Sequence, residues 1–429
     1  MQRVLADHSF WNTRGWRVAM QRHHQELTRS IQRFRPRLLL LSALLIAGTA
    51  PSQQIGQTQW SARSLDSFIL RWPQGALGGG KAPATWNYQL AVLLNGVEAI
   101  DESSGDPAAL DYIRQTVDGL ILPDGSIPTY DPSAASLDDI SLGRSVLLLY
   151  RKTGDAKYKI AATHLRQQLA TQPRNASGGF WHMHKFPNQM LLDDEYMFAP
   201  FLAEYATLFH EPKDFADIAS QFALLEQHTR DPKTGLLYHE WDEPHSEAWV
   251  NKTTGTSANF WARGTGWYLM ALVDTLPYYR KDDPDRATLL AIFQRTAAAV
   301  AGYQDAQSGL WYQVLDKPGQ QGNYLESSAA GMFIYALAKG VRLGYLAPQY
   351  TGKAQRAWAG MLRNFVKLDS DGAVTISHTV KAIELGTEPS HDGSFEYYTS
   401  APVVDNDPKG VAAFLLACSE MEREPVSHP

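Results

Sequence analysis

The chain has 429 residues, of which 44% are apolar and 20% are charged, and its formal net charge is −6. These values are ordinary for a soluble globular protein, and they exclude a disordered or collagen-like chain. The length is sufficient for two or three average domains or for one large domain.

The N-terminal segment differs in composition from the rest of the chain. Residues 1–37 contain eight arginines and only two acids, and residues 38–50 form a thirteen-residue apolar run that ends in small residues. This run has the length of the hydrophobic region of a signal peptide and is shorter than a bilayer span. We therefore expect residues 1–52 to be a signal peptide or N-terminal extension, and the mature protein to be periplasmic or secreted. An uncleaved membrane anchor is the alternative.

Removal of residues 1–52 takes away eight positive and two negative charges, so the net charge changes from −6 to −12. A strongly acidic protein is a poor partner for nucleic acids and for anionic membranes. We expect neither partner, and no stable membrane contact unless the N-terminal apolar segment stays uncleaved. Cys418 is the only cysteine, so an intramolecular disulfide is excluded and the fold needs a large core.

A short glycine-centred turn recurs six times in the remaining chain. The intervals between the glycines are 50, 54, 56, 74 and 63 residues, which is about the length of two helices and two loops. Several turns lead into a short β-prone run, of which residues 374–378 are one example. The turns are centred on Gly75, Gly125, Gly179, Gly235, Gly309 and Gly372.

The hydrophobic periodicity predicts an amphipathic helix before each turn and a helix that is apolar nearly all round after it. The amphipathic helices are predicted over 57–70, 105–118, 155–171, 213–228, 285–304 and 352–366. The apolar helices are predicted over 86–103, 139–152, 193–210, 261–278, 326–345 and 408–422.

A helix that is apolar on every side must be enclosed by other helices. The six apolar helices therefore predict an inner ring, and the six amphipathic helices predict an outer ring around it. The expected fold class is all-α, an (α/α)6 toroid, with one domain over residues 53–429. Two packed helical domains are the alternative.

The glycine turns deliver the chain to the N-termini of the inner helices, so these ends share one face of the ring. Away from them the inner helices are expected to be nearly free of charge. Polar and aromatic residues gather at this one mouth, where a binding site in a ring would lie. Expected binding residues at the mouth include Trp86, Tyr88, Gln189 and Glu326.

Two carboxylate clusters begin successive inner helices: Asp138 with Asp139, and Asp193 with Asp194 and Glu195. Two carboxylates close together push one of them to keep its proton, which supplies the acid and base of glycoside chemistry. The alternative is N-capping, for which aspartate is a preferred residue. Spacing alone leaves both interpretations open.

Three histidines follow glycine turns on the same face: His182, His184 and His239. Their spacing matches no zinc signature, so we expect them to bind substrate or to orient a carboxylate rather than to hold a metal. The sequence also contains no nucleotide-binding, dinucleotide-binding or serine-nucleophile motif. We therefore expect no cofactor and no metal.

Arg263 lies in the apolar sequence FWARGTGWY at the start of an inner helix. A guanidinium in such surroundings needs a planar anionic partner, which is either a structural aspartate or the carboxylate of a ligand. Trp181, Trp261 and Trp267 either stack on a sugar or fill the rim of the mouth.

Blocks along nearly all of residues 53–429 resemble one enzyme family. The resemblance is carried by GGFWHMHKFPNQMLLDDEYMFAPF (178–201), WNYQLAVLLNGVEA (86–99), LDDISLGRSVLLLY (137–150), ANFWARGTGWYLMALVD (258–274) and SFEYYTSAPVVDNDPKGV (394–411). In these blocks the chain resembles the unsaturated rhamnogalacturonyl hydrolases of glycoside hydrolase family 105, relatives of the unsaturated glucuronyl hydrolases of family 88.

The resemblance implies an (α/α)6 barrel and a hydrolase that removes a 4,5-unsaturated uronic acid from the non-reducing end of lyase-generated oligosaccharides. It implies that Asp193 is the general acid/base and that Asp138 assists it. His239, Arg263 and Trp267 match family positions that line the sugar site, with the arginine as a partner for the substrate carboxylate. The implied reaction hydrates the C4=C5 vinyl ether without a metal or a covalent intermediate.

Several positions depart from the family pattern. We expect Leu191, in place of an aromatic residue, to remove one stacking wall. Asp194 and Glu195 replace a glycine and an apolar residue, and we expect them to add negative charge near Asp193. Where asparagine and proline are usual, the chain has Ser141 and Leu142, which predicts a different hold on Asp138.

Two other functions stay open beside the unsaturated uronyl hydrolase. One is a conventional glycosidase on the same ring, which would cleave saturated oligosaccharides. The other is a sugar-binding protein whose catalysis is weakened by the departures at residues 191, 194 and 195.

Overall fold

The computed structural model describes residues 59–78 and 82–423. The predicted signal segment, residues 1–52, lies outside the described residues. Within the described part of the chain, no helix is both long enough and apolar enough to cross a membrane.

The predicted alternation of helices is confirmed. The outer helices are α1 (Trp60–Arg71), α3 (Pro107–Asp118), α5 (Ala156–Ala170), α7 (Lys213–Thr229), α9 (Pro284–Gly302) and α11 (Tyr350–Asn364). The inner helices are α2 (Tyr88–Ser104), α4 (Gly143–Thr153), α6 (Asp194–Phe209), α8 (Ala262–Thr275), α10 (Ser327–Arg342) and α13 (Pro408–Met421). One short helix, α12 (Phe395–Ser400), lies in the last connection.

The inner helices form a closed ring. Each packs against the next, from α2 through α4, α6, α8 and α10 to α13, and α13 returns to pack against α2. Gly96 and Gly331 permit the close approach of α13, because a Cβ at Gly331 would lie 2.7 Å from the backbone of Ala413. The fold is therefore the predicted all-α (α/α)6 toroid.

The burial of the two rings differs as the hydrophobic pattern predicts. In α8 every residue from Ala262 to Thr275 is buried, whereas in the outer helix α11 only Ala354, Ala357, Gly360 and Met361 are buried. A helix enclosed on all sides has no face for water, so polar residues in the inner ring need partners inside the protein.

The connections carry short strands and left-handed turns. Strand β1 (Gln189–Leu191) pairs antiparallel with β2 (Glu240–Asp242), β3 (Val366–Leu368) with β4 (Val374–Ile376), and β5 (Thr379–Val380) with β6 (Val403–Val404). The β-prone run at 374–378 is thus confirmed in part. All six predicted turns contain a glycine with positive φ, but in the third turn it is Gly178 rather than Gly179.

The expectation that the inner helices carry almost no charge away from the mouth is wrong. Asp274 of α8 is 4% exposed, lies 3.0 Å from Arg144 and 2.7 Å from Lys339, and accepts a hydrogen bond from the Tyr335 hydroxyl. A second group pairs Arg151 with acids of two other inner helices. The charges are tolerated because each acid meets a base from a neighbouring helix.

Candidate active site

An open pocket lies at the mouth where the inner helices begin. Eight of the predicted site residues line it: Tyr88, Asp138, His182, Gln189, Asp193, Trp261, Arg263 and Trp267. The wall also contains residues that the sequence did not single out as binding residues: Met183, Lys185, Phe186, Leu191, Met197, Glu240, Lys409 and residues 382–385.

The two predicted catalytic aspartates lie at the starts of neighbouring inner helices. Asp193 directly precedes α6, and Asp138 lies in a 3-10 turn, Leu137–Ile140, that leads into α4. Neither carboxylate caps its helix. N-capping therefore does not explain these two residues.

Asp138 is set up to exchange a proton near neutral pH. Burial raises the pKa of the Asp138 carboxyl to about 7; His182 opposes this rise, and the carboxylates of Asp194, Asp139 and Asp193 add to it. The chain thus places a carboxyl that titrates near neutral pH in the same pocket as Asp193.

Asp193 is supported from behind by His239. The side chain of Asp193 is 17% exposed, and its Oδ2 lies 3.4 Å from Nε2 of His239. The other ring nitrogen of His239, Nδ1, lies 2.9 Å from the hydroxyl of Tyr398, and the edge of the ring meets Trp261. His239 is fully buried and does not line the pocket, so it is placed to orient Asp193.

Two other predicted binding residues also lie behind the pocket wall. Trp86 donates from Nε1 to the carbonyl of Asp139 at 2.7 Å, which fixes the turn that carries Asp138. Glu326 caps α10 by accepting from the backbone N–H of Ala329 at 2.7 Å. Both side chains hold elements of the site in place, and neither lines the pocket.

Asp194 forms a buried pair with His182. The two side chains lie 2.6 Å apart, and Asp194 also accepts from the backbone N–H of Leu191 at 3.0 Å. Burial lowers the pKa of His182, but the charge and hydrogen bond of Asp194 outweigh this effect and raise it to about 10. At neutral pH an imidazolium therefore lines the pocket and balances the charge of Asp194.

Glu195 does not add charge to the pocket. Its side chain is 1% exposed and absent from the pocket wall, and burial raises the pKa of its carboxyl well above the usual range. The expectation that Asp194 and Glu195 both add net negative charge beside Asp193 is therefore wrong. One is neutralised by a histidine, and the other keeps its proton.

The Asp194–His182 pair predicts a specific pH dependence of stability. The folded-state pKa of His182, about 10, is above its ordinary value of 6.5. The contribution of His182 to the free energy of unfolding is therefore fully present below pH 6.5. It is lost as pH rises toward 10, by at most about 1.4 kcal/mol per pH unit.

The variant Asp194→Asn should remove most of this slope. Denaturant unfolding of wild type and variant at pH 7 and pH 9 measures it, because groups common to both proteins cancel in the difference. A wild-type free energy of unfolding that falls no faster than that of Asp194→Asn would contradict the assignment.

The other departures from the family pattern have visible consequences. Leu191 lines the pocket, so an aromatic wall is indeed absent at this position. Phe186 lines the same pocket, with its ring stacked on His182 at a centroid distance of 5.6 Å. The hydroxyl of Ser141 donates a hydrogen bond to the backbone carbonyl of Asp138 at 2.7 Å. The turn that carries Asp138 is therefore fixed by a serine, as the departure from the family pattern predicts.

Glu240 is a pocket carboxyl that sequence reasoning missed. It is 2% exposed, and burial raises its pKa to about 7, against the lowering effects of His239 and His182. Its position follows from the β1–β2 ladder, in which Glu240 is paired with Leu191. The position of Glu240 directly after His239 is the only feature of the sequence that points to it. The strand pairing that turns Glu240 toward the pocket is not visible in the sequence.

Arg263 is buried in the pocket wall without an acidic partner. It is 2% exposed, donates to the carbonyl of Val380 and lies 4.7 Å from the Trp261 ring. In the part of the chain that the structure describes, no carboxylate forms an ion pair with it. A structural aspartate, one of the two partners that the sequence predicts for this arginine, is therefore not found in that part of the chain. Among residues 59–78 and 82–423, no three histidine, cysteine or acidic side chains are grouped to hold a metal ion.

The closed double ring of helices is an (α/α)6 fold, and the carboxyls of Asp138 and Asp193 share one pocket at its mouth, as glycoside chemistry requires. The family model of Glycosyl Hydrolase Family 88 matches residues 60–424. The chain belongs to the glycoside hydrolases of families 88 and 105, as the sequence blocks predict, and it is a hydrolase of glycosyl bonds.

Individual relatives are consistent with this family. A glycoside hydrolase of family 105 from C. acetobutylicum has a solved structure with a TM-score of 0.80 and 39% identity, covering 85% of this chain and 99% of that chain. Protein Atu3128 of Agrobacterium fabrum is 36% identical over 52% of this chain and 96% of its own length. The unsaturated rhamnogalacturonyl hydrolase YesR of Bacillus subtilis is 27% identical over 68% of this chain and 78% of its own length.

Proposed function

We propose that the protein removes a 4,5-unsaturated uronic acid from the non-reducing end of oligosaccharides produced by polysaccharide lyases. The observation that carries the proposal is that one pocket contains both Asp193 and Arg263. Arg263 is buried there and forms no ion pair with an acid among the described residues. Asp193 supplies a proton, and Arg263 supplies the partner for a uronate carboxylate. The name of one relative, the unsaturated rhamnogalacturonyl hydrolase YesR, supports the same substrate class.

The reaction follows from the electronics of the substrate. The C4=C5 bond lies next to the ring oxygen and is therefore a vinyl ether. Asp193 protonates C4, which generates an oxocarbenium-like centre at C5. The ionised form of Asp138, which coexists with its protonated form near neutral pH because the pKa is about 7, stabilises this positive charge. Asp193 then takes a proton from the water that adds to C5. The hemiketal opens, the glycosidic bond breaks, and Asp193 is again ready to donate.

The position of His239 supports a dual role for Asp193. The carboxylate must give a proton to carbon and then take one from water without changing its place. A buried imidazole, itself fixed by Tyr398, lies 3.4 Å from the carboxylate and favours an orientation in which one oxygen faces the ring. Orientation of this kind is a large part of general acid–base catalysis.

We further propose that the mature protein acts outside the cytoplasm, in the periplasm or after secretion. The support is the composition of residues 1–52, with an arginine-rich start and a thirteen-residue apolar run. N-terminal sequencing of the exported protein should find a new terminus near residue 52. Recovery of the intact N-terminus in a membrane fraction would favour the anchor instead.

The substrate class is tested with a panel of unsaturated disaccharides from pectin, ulvan and glycosaminoglycan lyase digests. We expect the ultraviolet absorbance of the double bond to disappear with at least one member of the panel, and the saturated disaccharides to stay intact. Cleavage of the saturated controls would favour a conventional glycosidase. No loss of absorbance with any unsaturated member would contradict the proposal.

A further inference from the structure

Lys409 is a buried amine on the pocket wall for which the catalytic scheme above has no role. It lies in the first turn of α13, its side chain is 1% exposed, and it lines the same pocket as Asp193. Its Nζ lies 2.8 Å from Asp407 and 5.8 Å from the centre of the Tyr88 ring. One carboxylate contact leaves ammonium protons of Lys409 available to the pocket.

The position is an unfavourable one for a lysine. The first turn of a helix is the positive end of its dipole, which favours anions and disfavours cations. Burial removes the hydration that a compact ammonium group needs. A lysine kept under both conditions, in the wall of a substrate pocket, indicates an anion that binds to it.

Arg263 makes the position less favourable still. Burial lowers the pKa of Lys409 to about 8, and the charge of Arg263 contributes to this lowering, while Asp407 and Glu326 oppose it. Two buried cations thus face one pocket, and in the described part of the chain Asp407 is the only carboxylate that forms an ion pair with either of them. A single anion bound between Lys409 and Arg263 would accept hydrogen bonds from the N–H groups of both side chains that have no protein partner.

We propose that Lys409 is a substrate-binding residue that holds the uronate carboxylate together with Arg263. This inference rests on the proposed function, because it takes the substrate to be a uronate. The planar guanidinium fits a carboxylate through two parallel hydrogen bonds, and the ammonium adds a point charge from the side of α13. Asp407 keeps Lys409 in place, since its carboxylate also caps α13.

Arg263 and Lys409 together form a carboxylate clamp, which predicts how substrate affinity depends on pH. The charged and titratable groups that face Lys409 are Arg263 from α8, Glu326 before α10, Tyr88 from α2 and Asp407 before its own helix. With a pKa of about 8 in the free enzyme, Lys409 loses its proton as pH rises from 7 to 9. KM for the uronate should therefore rise over this range, while kcat changes less.

The test compares wild type with Lys409→Met and Lys409→Arg. We expect Lys409→Met to raise KM by roughly 10- to 100-fold, the usual loss for a hydrogen bond to a charged group, with a smaller effect on kcat. Lys409→Arg should keep a low KM and lose its rise between pH 7 and 9. Against the methyl ester of the same substrate, wild type and Lys409→Met should differ by less than about threefold, because the ester has no carboxylate charge.

Two further measurements separate the possible failures. Melting temperatures show whether Lys409→Met is folded, and the pH dependence of KM in wild type tests the clamp without any substitution. If wild type turns over no unsaturated uronide, the proposed function fails, and calorimetric binding of glucuronate to wild type and Lys409→Met still tests the clamp. Equal KM, or equal glucuronate affinity, in wild type and folded Lys409→Met would overturn the assignment of Lys409.

Discussion

Asp193→Asn should reduce kcat by about 10²- to 10⁴-fold, the range expected for loss of a general acid–base group, and should change KM little. The asparagine side chain keeps the shape of the carboxylate but cannot carry a proton from solvent to C4. Because Asp193 lies at the pocket and His239 lies behind it, the substitution leaves the remaining wall in place. Steady-state kinetics on an unsaturated disaccharide measure the effect.

The matched control is Asp139→Asn in the turn before α4. Asp139 is a neighbour of Asp138, but its side chain does not line the pocket, and its carbonyl rather than its carboxyl holds Trp86. We expect this variant to keep kcat within about tenfold of wild type. If Asp193→Asn retained more than a tenth of wild-type kcat, Asp193 could not be the proton donor.

Asp274→Ala should destabilise the fold by about 3–5 kcal/mol, because it leaves Arg144 and Lys339 buried without their shared carboxylate. Although burial raises the pKa of Asp274, Lys339 and Arg144 lower it by more, so the carboxylate is ionised in the folded protein. Denaturant unfolding at neutral pH measures the loss. The effect is expected in the free energy of unfolding, since Asp274 does not line the pocket.

Asp111→Ala provides the control for this second prediction. Asp111 pairs with Arg114 on the outer helix α3, where both side chains are more than half exposed. Removal of such a surface pair is expected to change stability by less than about 1 kcal/mol. If Asp274→Ala cost no more than Asp111→Ala, the buried network would contribute nothing net to the fold.

The toroid could be predicted because its two rings have different hydrophobic patterns. The pattern predicts one enclosed helix over residues 261–278, and the structure has α8 over Ala262–Thr275 with every residue buried. The glycine turns also predict the position of the mouth, since each turn precedes the start of an inner helix. Asp138 and Asp193 follow from this placement as pocket residues, but choosing them over their acidic neighbours needed the family resemblance.

The buried charges of the inner ring could not be predicted in the same way. Arg144, Asp274 and Lys339 lie in three separate, mostly apolar helices, and none has an oppositely charged residue within four positions in sequence. Their pairing exists only once the ring has brought these helices together. A pattern read along one helix therefore underestimates how much charge a closed ring can enclose.

The direction of the side chains at the mouth could also not be predicted from the sequence. Position at the start of an inner helix predicts which end of the ring a residue occupies, but not whether it faces the pocket. Glu240 reaches the pocket through the pairing of β1 with β2, whereas its neighbour His239 points behind Asp193. Asp194 illustrates the same limit, because its partner His182 comes from the preceding connection.

The central claim is that the enzyme protonates carbon C4 of an unsaturated uronate rather than the glycosidic oxygen. The most direct test is turnover of an unsaturated disaccharide in heavy water, followed by mass spectrometry and NMR of the released uronate. A control incubates the unlabelled product in heavy water to measure non-enzymatic exchange. We expect one deuterium at C4 of the product above the control level, together with loss of the double bond. Release of a sugar with no deuterium at C4 above that level would contradict the claim.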